Sequence, residues 1–293
     1  MSRSKKSAEK KGKKRGFVPI LLLLVFLCSL GACCYLAYEE INKEIGIKDM
    51  ETDIQTFVKP QTDIPENDET SAEDGTDEIA EPAYVFDWDG MLAQSPYVIG
   101  WIQVPGIDRI NYPIVQHPDD NQFFLTHDWK GAKQSAGAIF VNKYNAPDFT
   151  DMNTVIYGHR MKAGSMFGLL KNYGDQAFLD EHPYFHIYTP DGQKLTYEII
   201  CYSYVTDGSD AYLQHFNTPD ERMAYYDMML RPLSSVSKKG CVTKRDVELD
   251  RFDSTVMLST CGKSGSGYYD RNVILGKLIS VDTDGQPENI STE

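Results

Sequence analysis

The chain has 293 residues, 41% of them hydrophobic and 25% charged, a globular composition large enough for one big domain or two small ones. Its net charge of −14 and lack of a basic face exclude the electrostatic footprint of a nucleic-acid binder, so no nucleic-acid partner is expected. The charge is unevenly placed: the first sixteen residues, "MSRSKKSAEKKGKKRG", hold eight Lys/Arg and one Glu, which leaves −21 on the remainder.

Directly after this basic tail (1–16) comes "FVPILLLLVFLCSLGACCYLAY", Phe17 to Tyr38, without a charge in it. Its twenty-two residues at about 1.5 Å each span roughly 33 Å, enough for a hydrocarbon core of about 30 Å. Lys and Arg crowd one side, and Glu39 and Glu40 open the other. The positive-inside rule then predicts a single-pass transmembrane helix (17–38) with a cytoplasmic N-terminus and everything later outside the cell membrane. A cleaved signal is the alternative. "LGAC", Leu30 to Cys33, loosely resembles a lipoprotein cleavage box with Cys33 lipidated, although the apolar run continues beyond it.

Residues 39–82 read as a stalk and linker. A helical pattern runs from Glu39 to about Val58. "KPQTDIPENDETSAEDGTDEIAEP", Lys59–Pro82, is acidic and almost free of large apolar residues, so it is expected to stay disordered. Such a self-repelling spacer predicts reach for whatever follows.

The folded domain is expected over 83–281, ahead of a polar C-terminal tail (282–293). Eight β-like runs recur in it: 97–104, 110–116, 136–142, 153–159, 183–189, 194–205, 254–261 and 272–281. Helices are expected at Ser165–Tyr173 and Thr218–Leu233, the second with Thr218 as N-cap and Glu221 three residues on. Helices do not alternate regularly with strands. The pattern therefore predicts a mainly β fold, a closed eight-stranded β-barrel with short inserted helices rather than a βαβ sheet.

Three cysteines, Cys28, Cys33 and Cys34, lie in the apolar segment, and three, Cys201, Cys241 and Cys261, lie outside it. An odd number cannot all pair, and a Cys201–Cys241 disulfide is one open pairing. His117, His127 and His215 sit among polar loop residues. His182 and His186 have an i, i+4 spacing, but Pro183 interrupts it and no further ligand residues accompany them, so no metal and no cofactor is expected. His159 and Cys261 differ from these. His159 ends "TVIYGH" just after Gly158, and Cys261 ends "VMLSTC" just before Gly262, so each is placed at the rim of a sheet. A thiol and an imidazole at two strand ends is an arrangement suited to nucleophilic catalysis. The same pattern fits an inert buried thiol beside a strand-end histidine.

At these residues the sequence resembles the sortases, and class B most. "TVIYGHRMKAGSMFGLLKNY" is similar to the segment carrying that class's catalytic histidine, and "LSTC" to the tail of its cysteine signature. Arg271 follows Cys261 by ten residues, on "RNVILGKLI", as the catalytic arginine does there. "NYPIVQ" and the helix-bearing insertion around 218–233 are also similar to class B. Met257 departs from the signature's usual Thr, and Gly262 follows the cysteine where some relatives carry a side chain.

The resemblance implies a cysteine transpeptidase at the surface of a Gram-positive bacterium. Its partners would be sorting-motif-bearing secreted proteins and an amino group of a peptidoglycan precursor. It implies Cys261 as nucleophile, His159 as general acid and base, and Arg271 as the charge that stabilises the tetrahedral intermediate. Tyr157, Ser259 and Thr260 would be substrate-binding; strand packing and ladder hydrogen bonds are the other reading of these three, most evenly balanced for Thr260. A thiol and an imidazole at their ordinary pKa values, about 8.5 and 6.5, hold only about 1% thiolate–imidazolium, and a nearby guanidinium raises that share. Rivals are a pilin-polymerising sortase, a plain cysteine peptidase and a non-enzymatic, membrane-tethered binding barrel. The polar tail, without a second apolar helix, argues against the first.

Overall fold

The computed structural model of the protein describes residues 17–60, 84–206, 208–231, 241–261 and 270–283. The basic tail, residues 61–82 of the acidic spacer, the Gly/Ser-rich loop after Cys261 and the tail from 284 lie outside the described residues. The chain divides into two units, residues 1–46 and 47–293. Helix α1 (Phe17–Ile54) contributes to both. Its part in the first unit exposes its apolar side chains, with an 18-residue window of mean hydropathy 2.6, and is long and apolar enough to cross a membrane.

The second unit starts earlier than the sequence suggests. Ile47, Met50, Ile54, Phe57 and Val58 are buried in the same apolar cluster as Trp101, Tyr112 and Trp129. Glu51 accepts a hydrogen bond from Tyr112 Oη at 2.6 Å, and Asp53 pairs with Lys130 at 2.7 Å. The stalk expected from Glu39 to Val58 is therefore helical, but its second half is part of the folded domain. Strand β1 (Val58–Pro60) follows and pairs with β2 (Tyr84–Phe86), Pro60 lying opposite Tyr84. This pairing corrects the reading of the acidic spacer as a source of reach. Both its ends are fixed side by side on the same unit, so residues 61–83 cannot lengthen a tether. Replacing residues 61–82 by a short turn is expected to leave surface anchoring unchanged. Shortening a closed loop by roughly two and a half doublings should stabilise the unit by about 1.5 kcal/mol. A thermal melt and an in-cell anchoring assay check this; lost anchoring would restore the tether reading.

After β2 come α2 (Trp88–Gln94), β3 (Val98–Gln103), β4 (Asn111–Val115), β5 (Ile139–Val141) and β6 (Asn153–His159). Then follow α3 (Gln176–Glu181), β7 (Tyr184–Tyr188), β8 (Lys194–Thr206), α4 (Pro219–Leu230), β9 (Cys241–Lys244), β10 (Thr255–Cys261) and β11 (Asp270–Asp282). Eight strands close in the order β3-β4-β5-β6-β10-β11-β8-β7, with β7 pairing back onto β3. These are the eight β-like runs of the sequence. The barrel is mixed, because β4–β5 and β6–β10 are parallel. One edge of β8 pairs with β11 along its length, and β7 and β9 share the other edge. That register sets Cys201 opposite Lys244 and Cys241 opposite Ser203, so the two cysteines are not cross-strand partners.

The wall is dry on both sides where β6, β10 and β11 meet. Ile156, Leu258 and Ile274 are register neighbours in the main core. The alternate row, Val155, Met257 and Leu275, faces the other way and packs under Tyr225, Tyr226 and Met229 of α4. Helix α4 forms as its sequence predicts, with the Thr218 hydroxyl accepting from Glu221 N at 3.2 Å. The helix expected over Ser165–Tyr173 does not form. Gly164 (φ 89°) and Met166 (φ 52°) turn the chain, and only a 3-10 turn, Leu170–Gly174, follows.

Candidate active site

The parallel ladder of β6 and β10 runs without a break from Asn153–Thr255 to His159–Cys261, so the histidine and the cysteine are direct register partners at its end. The antiparallel ladder of β10 and β11 ends at Ser259–Val273. Two residues further along each strand stand Cys261 and Arg271, and Arg271 is held across from Val205 of β8. Three neighbouring strands thus bring Cys261, His159 and Arg271 to one level of the rim. By strand alternation His159 and Arg271 continue the outward rows Val155–Tyr157 and Leu275–Val273.

His159 is half-buried, and its ring meets a backbone carbonyl. Nε2 lies 2.8 Å from the carbonyl oxygen of Leu125, which can only accept, so Nε2 bears the proton. Leu125 ends a 3-10 turn, Phe123–Leu125, that is tied down by Ala138 N donating to Phe124 O at 3.0 Å. Gly137 makes this close approach feasible. Its φ is 63°, and a Cβ there would stand 2.2 Å from Phe124 O and 3.1 Å from His159 Cδ2. Gly137→Ala is therefore expected to cost about 1–3 kcal/mol of stability and to displace the imidazole. A melt together with kcat measures both; unchanged values in both would remove this role. Gly158 does not let the backbone leave the sheet, as its place in the sequence suggests. Strand β6 runs through it, and its missing side chain clears space for Ile139 and Phe167, which a Cβ would approach to 2.6 and 2.7 Å.

Of the three expected substrate-binding residues, Tyr157 is half-exposed beside His159 on the outward row. Its hydroxyl accepts from Asn142 Nδ2 at 3.4 Å, and its ring stacks on Tyr212 with centroids 6.2 Å apart. Ser259 is buried, its hydroxyl 3.0 Å from Tyr212 Oη. Thr260 is turned to the inner face, 1% exposed, and accepts from Asn272 N at 3.2 Å. This contact is the ladder hydrogen bond that the sequence left open as the other reading of Thr260.

Tyr212, which the sequence reading did not single out, stands against both Tyr157 and Ser259. It lies in a 3-10 turn, Asp210–Tyr212, laid over the outer wall. Tyr225 Oη donates to Ala211 O at 3.0 Å, and Asn153 Nδ2 donates to Leu213 O at 2.7 Å, so the turn is clamped on both sides of Tyr212. Burial holds the Tyr225 hydroxyl far above the usual tyrosine pKa, which keeps it a donor. A tyrosine in a polar stretch, "DGSDAYLQ", carries no local sign of this placement.

The fold and the register together place a cysteine, a histidine and an arginine at one level of the rim of a closed eight-stranded barrel. Residues 102–279 match the family model for the sortase domain. The chain is 34% identical over 184 residues to sortase B of Listeria monocytogenes, covering 62% of this chain and 70% of that one. It is 29% identical to sortase B of Staphylococcus aureus over 63% of this chain and 71% of that one. Among solved structures, sortase B of Clostridium perfringens superposes with a TM-score of 0.57 at 27% identity, over 66% of this chain and 99% of that one. The chain belongs to the sortase family, and its relatives place it with sortase B.

Proposed function

We propose that this protein is a membrane-anchored cysteine transpeptidase, N-terminus cytoplasmic and barrel outside, that joins secreted proteins to peptidoglycan. The observation that carries the reading is the register pairing of His159 with Cys261 at the rim, with Arg271 at the same level. The Cys261 thiolate attacks the carbonyl of the sorting motif, near the client's C-terminus. A tetrahedral intermediate forms, and its negative oxygen is stabilised by the Arg271 guanidinium. As the C–N bond breaks, imidazolium His159 gives its proton to the departing amine, and a thioester remains on Cys261. An amino group of a peptidoglycan precursor then attacks the thioester. His159 takes the proton from the incoming amine, the C–S bond breaks, and the thiolate is regenerated.

With the Nε2 proton committed to Leu125, Nδ1 is the nitrogen assigned to these transfers. Tyr157 and Tyr212 form an aromatic wall for the bound peptide, and Ser259 acts by holding Tyr212. Incubating the chain with a library of sorting-motif peptides and an amine acceptor tests the proposal. Mass spectrometry should find an acyl adduct on Cys261 and a ligated product. Hydrolysis alone in the presence of amine would point to a peptidase. No adduct with any peptide, and a thiol that labels only after unfolding, would point to an inert barrel.

A further inference from the structure

We propose that Glu51 and Tyr112 are positioning residues for His159, through which the segment Ile47–Phe57 of α1 and its following turn holds the histidine in working geometry. The proposal rests on the catalytic reading of His159 given above.

His159 is gripped on two sides, and both grips lead to the same short segment. On the backbone side, the His159 carbonyl accepts from Phe167 N at 3.0 Å. Met166, just before Phe167, has φ 52°, a region that residues with side chains seldom occupy. Its amide donates to Tyr112 Oη at 3.2 Å, and Tyr112 in turn donates to Glu51 Oε1 at 2.6 Å. Arg109 ties the same parts together: Nη1 donates to Ala163 O at 2.5 Å, and Nη2 lies 3.6 Å from Glu51 Oε1. On the ring side, the loop that presents the Leu125 carbonyl continues to Trp129 and Lys130. Trp129 meets Phe57 edge-on with centroids 5.6 Å apart, and Lys130 pairs with Asp53 at 2.7 Å.

Apolar burial of Ile47, Met50 and Ile54 would be enough to dock the segment, but it is non-directional. The hydrogen-bonded pair adds direction. Tyr112 is 2% exposed, and its hydroxyl serves once as acceptor and once as donor, so the carboxylate fixes where the Met166 amide must sit. Burial, followed by the bond to Glu51, pushes the Tyr112 hydroxyl well above the ordinary tyrosine pKa. It therefore stays protonated and keeps donating wherever the enzyme works.

The test uses the full chain in detergent micelles carrying Tyr112→Phe, Glu51→Ala or Glu51→Gln. Steady-state transpeptidation is measured beside the ring ¹⁵N shifts of His159, assigned by difference from His159→Asn. Tyr112→Phe and Glu51→Ala are expected to lower kcat about ten- to a hundredfold, as misplacement of a reacting group does, with KM within about twofold. Both should also move the His159 ring resonances. Glu51→Gln keeps an oxygen acceptor and should restore kcat to within about twofold of the parent. Should Glu51→Ala fail to fold, Tyr112→Phe, which removes one oxygen and keeps the ring, decides alone. Parent-like kcat, a loss confined to KM, no rescue by Glu51→Gln, or unmoved ring resonances would each overturn the proposal. If the parent chain transfers no peptide, the reading of the site fails. The ring shifts then still decide positioning: moved in Tyr112→Phe supports it, unmoved overturns it.

Discussion

Cys261→Ala is expected to abolish transpeptidation, lowering kcat by at least about 10⁴-fold, and to leave no acyl adduct on the chain by intact mass. The size follows from the loss of covalent catalysis: without the sulfur there is no thioester, and the amine would have to displace an amide directly. Folding should be little affected, since the residue ends β10 and its ladder partner His159 bonds through backbone. Cys261→Ser separates nucleophile from shape. A hydroxyl at the same position ionises far less readily than a thiol, so a large loss is expected there too. Ligation by Cys261→Ala at more than a trace level would place the nucleophile elsewhere.

Arg271→Lys should lower kcat/KM by about 10²-fold and Arg271→Ala by about 10³-fold, the range seen when one donor to a developing oxyanion is removed. Lysine keeps the charge but not the planar fork, so it can meet the intermediate's oxygen without fixing its direction. The backbone at Arg271 is held by β8, where it lies across from Val205, two residues beyond the end of the β10 ladder at Val273. The loss should appear in acylation, measured as single-turnover appearance of the Cys261 adduct. Near-parental acylation by Arg271→Lys would remove the arginine from the chemistry and leave it a surface charge.

Much of this site is written locally in the sequence. The barrel strands are runs of Val, Ile, Tyr and Phe, and both "TVIYGH" and "VMLSTC" end on the residue that the ladder brings to the rim. What local pattern could not supply is pairing. That β6 and β10 are parallel neighbours, although about a hundred residues apart, is a tertiary fact. So is the placement of Tyr212, which no periodicity marks. The docking of α1 was legible in part: Ile47, Met50, Ile54 and Phe57 fall three or four residues apart, a stripe for one buried face. The neighbouring acidic run invited the reading of a solvated stalk instead. The 165–173 segment misled for another reason. Its Met, Phe and Leu suit a helix, but Phe167 is fixed by its bond to His159 and Met166 by its bond to Tyr112, and those contacts set the backbone.

His159 and Arg271 continue the outward rows of the barrel wall, with the interior rows filled by Ile156, Leu258 and Ile274. On the function proposed, the chemistry would take place on the outer side of a filled barrel, not inside a bore. A client of the proposed enzyme would then need to be neither threaded nor unfolded to reach the thiol. Only a short extended tail has to lie along the wall, and the body of the client can stay folded in the open space beside it. An enzyme built this way sets a limit on the shape of a tail and none on the size of the protein that carries it.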